Sequence, residues 1–273
     1  MRGVAVNLSI GGALVAALVI VGLVSLFWTP HDPAVLAMSD RFHPPSAQYA
    51  LGTDQLGRDL ASLLMAASAN TLAVAFLAVG FGGLAGTTMG LVASANGGFT
   101  ETTIMRIADF GFAFPALLFA VMLATAFGPS LFNAVLAIAF INVPIFARVA
   151  RGAANQVWAR EFVMAARAMG LGGWSITWRH ILPNIAPILI VQATIEFAIA
   201  ILAEAALSYL GLGAQPPMPS WGRMLSEAQT LMFLAPQLAI YPGLCIFLAV
   251  LGFGLLGDGL RDVTDPRLSR KRT

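Results

Sequence analysis

Two carboxylates lie deep inside apolar sequence. Glu196 and Glu204 fall within the run from Asn184 to Leu207, where an ionisable group is expensive and often functional. Their separation of eight residues puts them about 80° apart on a helix of 3.6 residues per turn, so both can face one interior. Lining such a face, they suit the passage of a cationic or amine-bearing substrate. They are equally satisfied if each carboxyl is protonated or bonded to Asn133, Asn142 or Gln192, and the residues alone leave both readings open. Asp109, near the start of another apolar run, has Arg106 close by as a possible partner.

Other chemistries lack their residues. The sequence has no G-x-x-x-x-G-K-[ST] run to cradle a phosphate, no H-E-x-x-H and no G-x-S-x-G. A single cysteine, Cys245, excludes an intrachain disulfide and a cysteine cluster for zinc, and His31, His43 and His180 are far apart. No metal site, bound cofactor or nucleic-acid surface is expected. The chain is not expected to be an enzyme by itself.

The elements that hold these residues are membrane spans. Of 273 residues, 58% are hydrophobic and only 10% charged, with mean hydropathy +0.82; a soluble domain carries about 25% charged residues. About 20 apolar residues cross a bilayer, and six stretches qualify: about Leu8–Trp28, Thr71–Ala95, Ile107–Phe127, Leu131–Ala147, Asn184–Leu207 and Ala235–Leu256. The fold class expected is an all-α integral membrane protein. The first stretch is longer than a signal-peptide core, and Trp28-Thr29-Pro30 is no small-residue cleavage site, so it reads as an uncleaved anchor. Gly128-Pro129-Ser130 alone separates spans three and four, which predicts a tight hairpin.

Basic residues orient the chain. With the N-terminus inside, 12 of the 15 Lys and Arg fall on inside segments and only Arg41, Arg58 and Arg223 outside, so both termini are expected to be cytoplasmic. Four regions follow: 1–28, the N-terminal end and first span; 29–70, an external loop; 71–260, a five-span core containing the internal loop 148–183; and 261–273, a basic tail suited to anionic lipid. Gly82, Gly86 and Gly90 form a small-residue stripe, read chiefly as packing within the chain. Pro115, Pro144, Pro187 and Pro242 lie in or near spans and can kink them.

The internal loop is the most informative stretch. Residues 157–169 are strong helix formers, and Gly170 is a fitting stop. Trp158, Phe162, Ala165 and Met169 make one apolar stripe, while Arg160 and Arg167 share another face. A short amphipathic helix of this kind lies on lipid or docks in a partner's groove, and the small Ala165 and Ala166 favour docking.

Here the chain resembles the permease subunits of bacterial ABC importers, whose cytoplasmic motif is Glu-Ala-Ala, three residues, Gly, nine residues, Ile, one residue, Leu-Pro. Ala165, Ala166, Gly170, Leu182 and Pro183 stand at matching places, whereas Met164 holds the Glu place and His180 the Ile place. Three more segments resemble the dipeptide/oligopeptide/nickel permeases: Leu51 to Asp59 (LGTDQLGRD), Ser208 to Gly213 (SYLGLG) followed by Pro216, Pro217 and Ser220-Trp221-Gly222, and Leu256 to Asp262 (LGDGLRD) ending at Asp265-Pro266-Arg267. The pattern is closer to the second permease of such systems.

The resemblance implies a type I ABC importer permease fold in the bacterial inner membrane. It implies a second permease, two ABC ATPases that use ATP and Mg, and an extracytoplasmic binding protein. Met164, Ala165, Ala166, Gly170, Leu182 and Pro183 would belong to a coupling element seated in an ATPase cleft, with Glu161 a possible substitute for the missing Glu. Thr53, Asp54, Arg58, Asp59 and Trp221 become candidates for contact with the binding protein, and Glu196, Glu204, Asn133 and Asn142 for the translocation path. The expected substrate is a di- or oligopeptide, with nickel and glutathione as alternatives in the same family. A proton-coupled secondary transporter using Glu196 and Glu204 is the rival from another class; it lacks an internal repeat and leaves the coupling motif unexplained.

Overall fold

The computed structural model describes residues 2–264; the expectations for 265–273, including Asp265-Pro266-Arg267, lie outside them. Ten α-helices follow one another: α1 (Arg2–Ser25), α2 (Leu60–Asn96), α3 (Gly98–Ala113), α4 (Ala116–Phe127), α5 (Leu131–Trp158), α6 (Glu161–Ala168), α7 (Gly173–Ile176), α8 (Leu182–Tyr209), α9 (Trp221–Ala228) and α10 (Gln237–Thr264). Thr53 and Asp59 form an isolated antiparallel bridge. α1, α2, α5, α10 and the stretch Gly173–Tyr209 are each long and apolar enough to cross a membrane. α3 and α4 are long and apolar enough only as a pair, and they meet at a bend of 82°, the geometry of a broken span or of a re-entrant loop.

That bend changes the third expected span. Phe114 is extended, with ψ 119°, ahead of Pro115. Proline lacks an amide hydrogen and disfavours helix at the residue before it, so the helix breaks there. Pro144, Pro187 and Pro242 instead stay inside continuous helices. A Cβ on Gly111 would lie 3.2 Å from Pro144 Cγ, so this glycine lets α3 close on the proline ring.

Two helices outrun their apolar stretches. α2 starts at Leu60, not Thr71, because Asp59 caps it: its Oδ2 accepts from the Ser62 amide at 3.0 Å and the Ser62 hydroxyl at 2.6 Å. Leu60, Leu63, Leu64 and Ala67 are buried along that extension. α5 continues past Ala147 to Trp158, so the first part of the expected internal loop is helix. Its polar turns are held by Arg148 to Asp109 at 2.6 Å and by Arg151 to Glu101. Asp109 thus pairs with Arg148, a residue brought close by helix packing, rather than with its sequence neighbour Arg106.

The Gly82–Gly86–Gly90 stripe packs α2 against α5. A Cβ on Gly82 would come within 2.7 Å of the Ala139 carbonyl, and one on Gly86 or Gly90 within 2.8 Å of the Phe146 or Ala150 Cβ. On the other flank, a Cβ on Gly11 would meet the Gly252 carbonyl at 2.8 Å and one on Gly259 the Leu8 amide at 2.8 Å, joining α1 to α10. The main core runs through Leu72, Ile138, Ile201 and Phe253. A second cluster, Val163, Ala166, Ile176, Ile181 and Ile185, sits at the end of the bundle that carries α6.

Candidate functional site

At the α6 end, a short helix stands on its own anchor. α6 begins at Glu161 after the extended Arg160 and ends at Ala168, closed by Met169 and Gly170. Gly170 has φ +85°, the left-handed region that glycine occupies without penalty. The Leu171 amide donates to the Ala166 carbonyl at 3.2 Å and the Gly170 amide to the Arg167 carbonyl at 2.9 Å, the paired pattern that closes a helix at a left-handed glycine. Val163 and Ala166 are buried, 0% and 2% exposed, while Met164 and Met169 are 55% and 74% exposed. Phe162 and Ala165 also face outward. Ala166, expected on the docking face, therefore packs inward on this chain's own isoleucines. Arg167 lies 4.7 Å over the Trp158 ring, so the two faces of the expected stripe are bridged at Trp158. Leu182 is half-buried and Pro183 exposed at the start of α8.

At the opposite end, the 51–59 segment and α9 form one ionic assembly. Asp54 Oδ1 accepts from the Leu56 and Arg58 amides at 2.8 and 2.9 Å, folding the segment on itself. Arg58 Nε donates to Asp54 at 2.6 Å and its Nη2 reaches Glu227 of α9 at 2.9 Å. Glu227 also accepts from Arg223 Nε at 2.8 Å. Burial works against the Arg58 charge, but the Asp54 and Glu227 carboxylates outweigh it and hold the guanidinium more firmly protonated than a free arginine. Tyr49 donates to Asp40 at 2.9 Å, and that hydrogen bond raises the phenol above its ordinary range. Thr53 donates to the Asp40 carbonyl.

These side chains face inward. Thr53, Asp54, Asp59 and Trp221 are 1%, 3%, 3% and 0% exposed. What they do in this chain is hold the segment, cap α2 and seat α9. A Cβ on Gly222 would strike the Ala205 backbone, so α9 lies hard against α8. Arg223 and Glu227 were not singled out from the sequence; their spacing of one helical turn was the available signal.

Within the bundle, the two carboxylates part company. Glu204 is sealed: its Oε1 accepts from the Ser208 hydroxyl at 2.6 Å, and that hydroxyl accepts from the Ala214 amide at 3.1 Å. Glu204 Oε2 and Trp221 Nε1 are both buried without a partner. Glu196 instead lines a cavity of about 220 Å³ between α5 and α8, together with Asn142, Ile138, Ile141 and Ile199. Glu196 Oε1 accepts from Gln192 Nε2 at 2.7 Å. Asn133 lies elsewhere, donating to the Gly128 carbonyl at 2.6 Å across the tight hairpin turn. Of the four candidates for a path, the fold brings Glu196 and Asn142 together, and keeps Glu204 and Asn133 apart from them.

Residues 82–270 match the family described as "Binding-protein-dependent transport system inner membrane component". The dipeptide transport system permease protein DppC of Alkalihalophilus pseudofirmus is 42% identical, over 95% of this chain and 85% of that protein. The glutathione transport system permease protein GsiD of Pectobacterium atrosepticum is also 42% identical, over 94% and 87%. Among solved structures, an inward-facing MetNI methionine ABC transporter superposes with a TM-score of 0.61 at 21% identity, covering 74% of this chain and 97% of that one. That likeness concerns the fold.

Proposed function

The chain belongs to the binding-protein-dependent transport system inner membrane component family, and from that premise we propose that, with a second permease, it forms the translocation path of an importer for di- or oligopeptides. It is a multi-pass permease subunit of an ABC importer of the bacterial inner membrane. The peptide assignment draws on the relative named for dipeptide transport. Glutathione, itself a tripeptide, is the second reading, favoured by the relative at the same identity.

The observation that carries the mechanism is α6. It turns Phe162, Met164, Ala165 and Met169 outward from an underside anchored by Val163 and Ala166. A helix fixed on one face and bare on the other passes a push to the bundle as rigid-body motion, which a loose loop does not. The bare face serves as the surface for an ATPase, a reading supported by the excess of arginine at that end of the bundle, which favours the cytoplasmic side. The substrate-loaded binding protein docks at the other end, over the 51–59 segment and α9. Two ATPases consume ATP and Mg; this chain binds neither.

The test is reconstitution. Proteoliposomes holding this chain, its partner permease and both ATPases, supplied with the binding protein, should take up di- or oligopeptides only with ATP. Peptide uptake driven by a proton gradient without ATP would overturn the proposal.

A further inference from the structure

The cavity between α5 and α8 carries polar groups that the bundle does not use. Its walls are largely apolar, with Leu117, Ile138, Ile141 and Ile199 among them. Glu196 is 3% exposed and Asn142 also 3%. Glu196 receives one donor, Gln192, on Oε1, and no side chain among the described residues donates to Oε2. Asn142 Nδ2 is buried with no acceptor. An under-paired carboxylate and an orphaned amide hydrogen in apolar surroundings are each costly, and both are relieved by a ligand that brings a cation and a carbonyl.

We propose that this cavity binds the free amino terminus of a peptide in transit: the α-ammonium on Glu196, the first carbonyl on Asn142 Nδ2, and the first side chain among the isoleucines. The complementarity is specific. A bare cation leaves Asn142 unpaired, and an acyl chain leaves both groups unpaired. The inference rests on the peptide-import reading above and names the part of the substrate this chain recognises.

The experiment compares two peptides identical except for N-acetylation, each supplied at saturating occupancy of the binding protein to the full reconstituted complex. The wild-type complex should import the free-amine peptide faster. Glu196→Gln is nearly isosteric and removes the charge; it should slow that peptide about tenfold and leave the acetylated one unchanged. Glu196→Asp keeps the charge and should keep the preference. A photoreactive residue at the peptide's amino terminus should cross-link to α5 or α8 in the wild-type complex, which needs no variant. An equal effect of Glu196→Gln on both peptides, or cross-links confined to other helices, would overturn the inference while peptide import stands. Loss of the partner permease on purification of Glu196→Gln would also overturn it, making the cavity a subunit contact. If the wild-type complex imports neither peptide with ATP, the peptide-import reading itself fails.

Discussion

Neighbouring alanines on α6 separate docking from folding. Ala166 is 2% exposed among Val163, Ile176, Ile181 and Ile185. Ala166→Trp forces an indole into that cluster, and overpacking of this kind costs about 1–3 kcal/mol. It should therefore lower the melting temperature of the detergent-purified chain with no partner present. Ala165 is exposed on the same helix, so Ala165→Trp should change the isolated chain by no more than about 0.5 kcal/mol. The same ring then meets the ATPase. If the groove cannot yield, about 1–3 kcal/mol weakens assembly by about 5- to 150-fold. The assay is paired: thermal unfolding of each variant alone, then ATPase co-purification and ATP-dependent uptake in the complex. The expected result is a stable Ala165→Trp chain that fails to retain ATPases or import. A Ala165→Trp complex with wild-type capture and uptake would refute the docking face, because a helix lying on lipid accepts tryptophan readily.

Three further outcomes follow from the packing. Gly86→Ala should destabilise the bundle by about 1–3 kcal/mol, since its Cβ would meet the Val143 carbonyl and Phe146, whereas Gly80→Ala, with nothing within 4 Å, should be neutral or slightly stabilising; thermal unfolding of the pair checks it. Arg58→Ala strands Asp54, whose side chain is 4% exposed, and leaves Glu227, 28% exposed, with Arg223 alone; it should cost about 3 kcal/mol in the same assay, with Arg58→Lys recovering only part because an ammonium cannot fork between two carboxylates. In a Cys245→Ser background, an impermeant thiol reagent on spheroplasts should label Gln48→Cys and Met218→Cys, both exposed at the α9 end, and spare Gly172→Cys at the α6 end; labelling of Gly172→Cys in sealed cells would invert the orientation.

The spans were legible because their signal is compositional: a run of about 20 apolar residues has few other uses. The stop at Gly170 and the stripe Gly82–Gly86–Gly90 were legible because glycine marks a left-handed φ or a close approach, and the structure shows φ +85° at one and backbone contact at the other. The helix ends were not. Hydropathy reports where lipid lies, whereas α2 begins at the Asp59 cap and α5 ends beyond its arginines. Ion pairs and capping bonds continue a helix into water after the apolar signal has ceased. Pro115 shows the same limit from the other side, since the sequence did not distinguish it from Pro144, yet only Pro115 divides its span.

The two span-five carboxylates show why angular position alone cannot find a path. Glu196 and Glu204 sit within about 80° on one helix, but eight residues also move a side chain about 12 Å along the axis. At the Glu204 level α9 returns from the loop and covers α8: Trp221 is fully buried and Gly222 touches the Ala205 backbone. At the Glu196 level no such element returns, and the facing α5 contributes Asn142 across an open cavity. Glu204 is thereby covered, with Oε1 bonded to Ser208 and Oε2 sealed away from any cavity, while Glu196 lines one. The distinction depends on residue 222 being small enough to let α9 close on α8. Enlarging it by Gly222→Ala should lift α9, expose Glu204 and leave the Glu196 cavity intact. Protease sensitivity of the 210–236 segment should rise, while the amino-terminal preference of import by any complex still assembled should persist. If the preference disappears with α9 displaced, Glu204 shares the path after all, and the separation drawn between the two carboxylates is wrong.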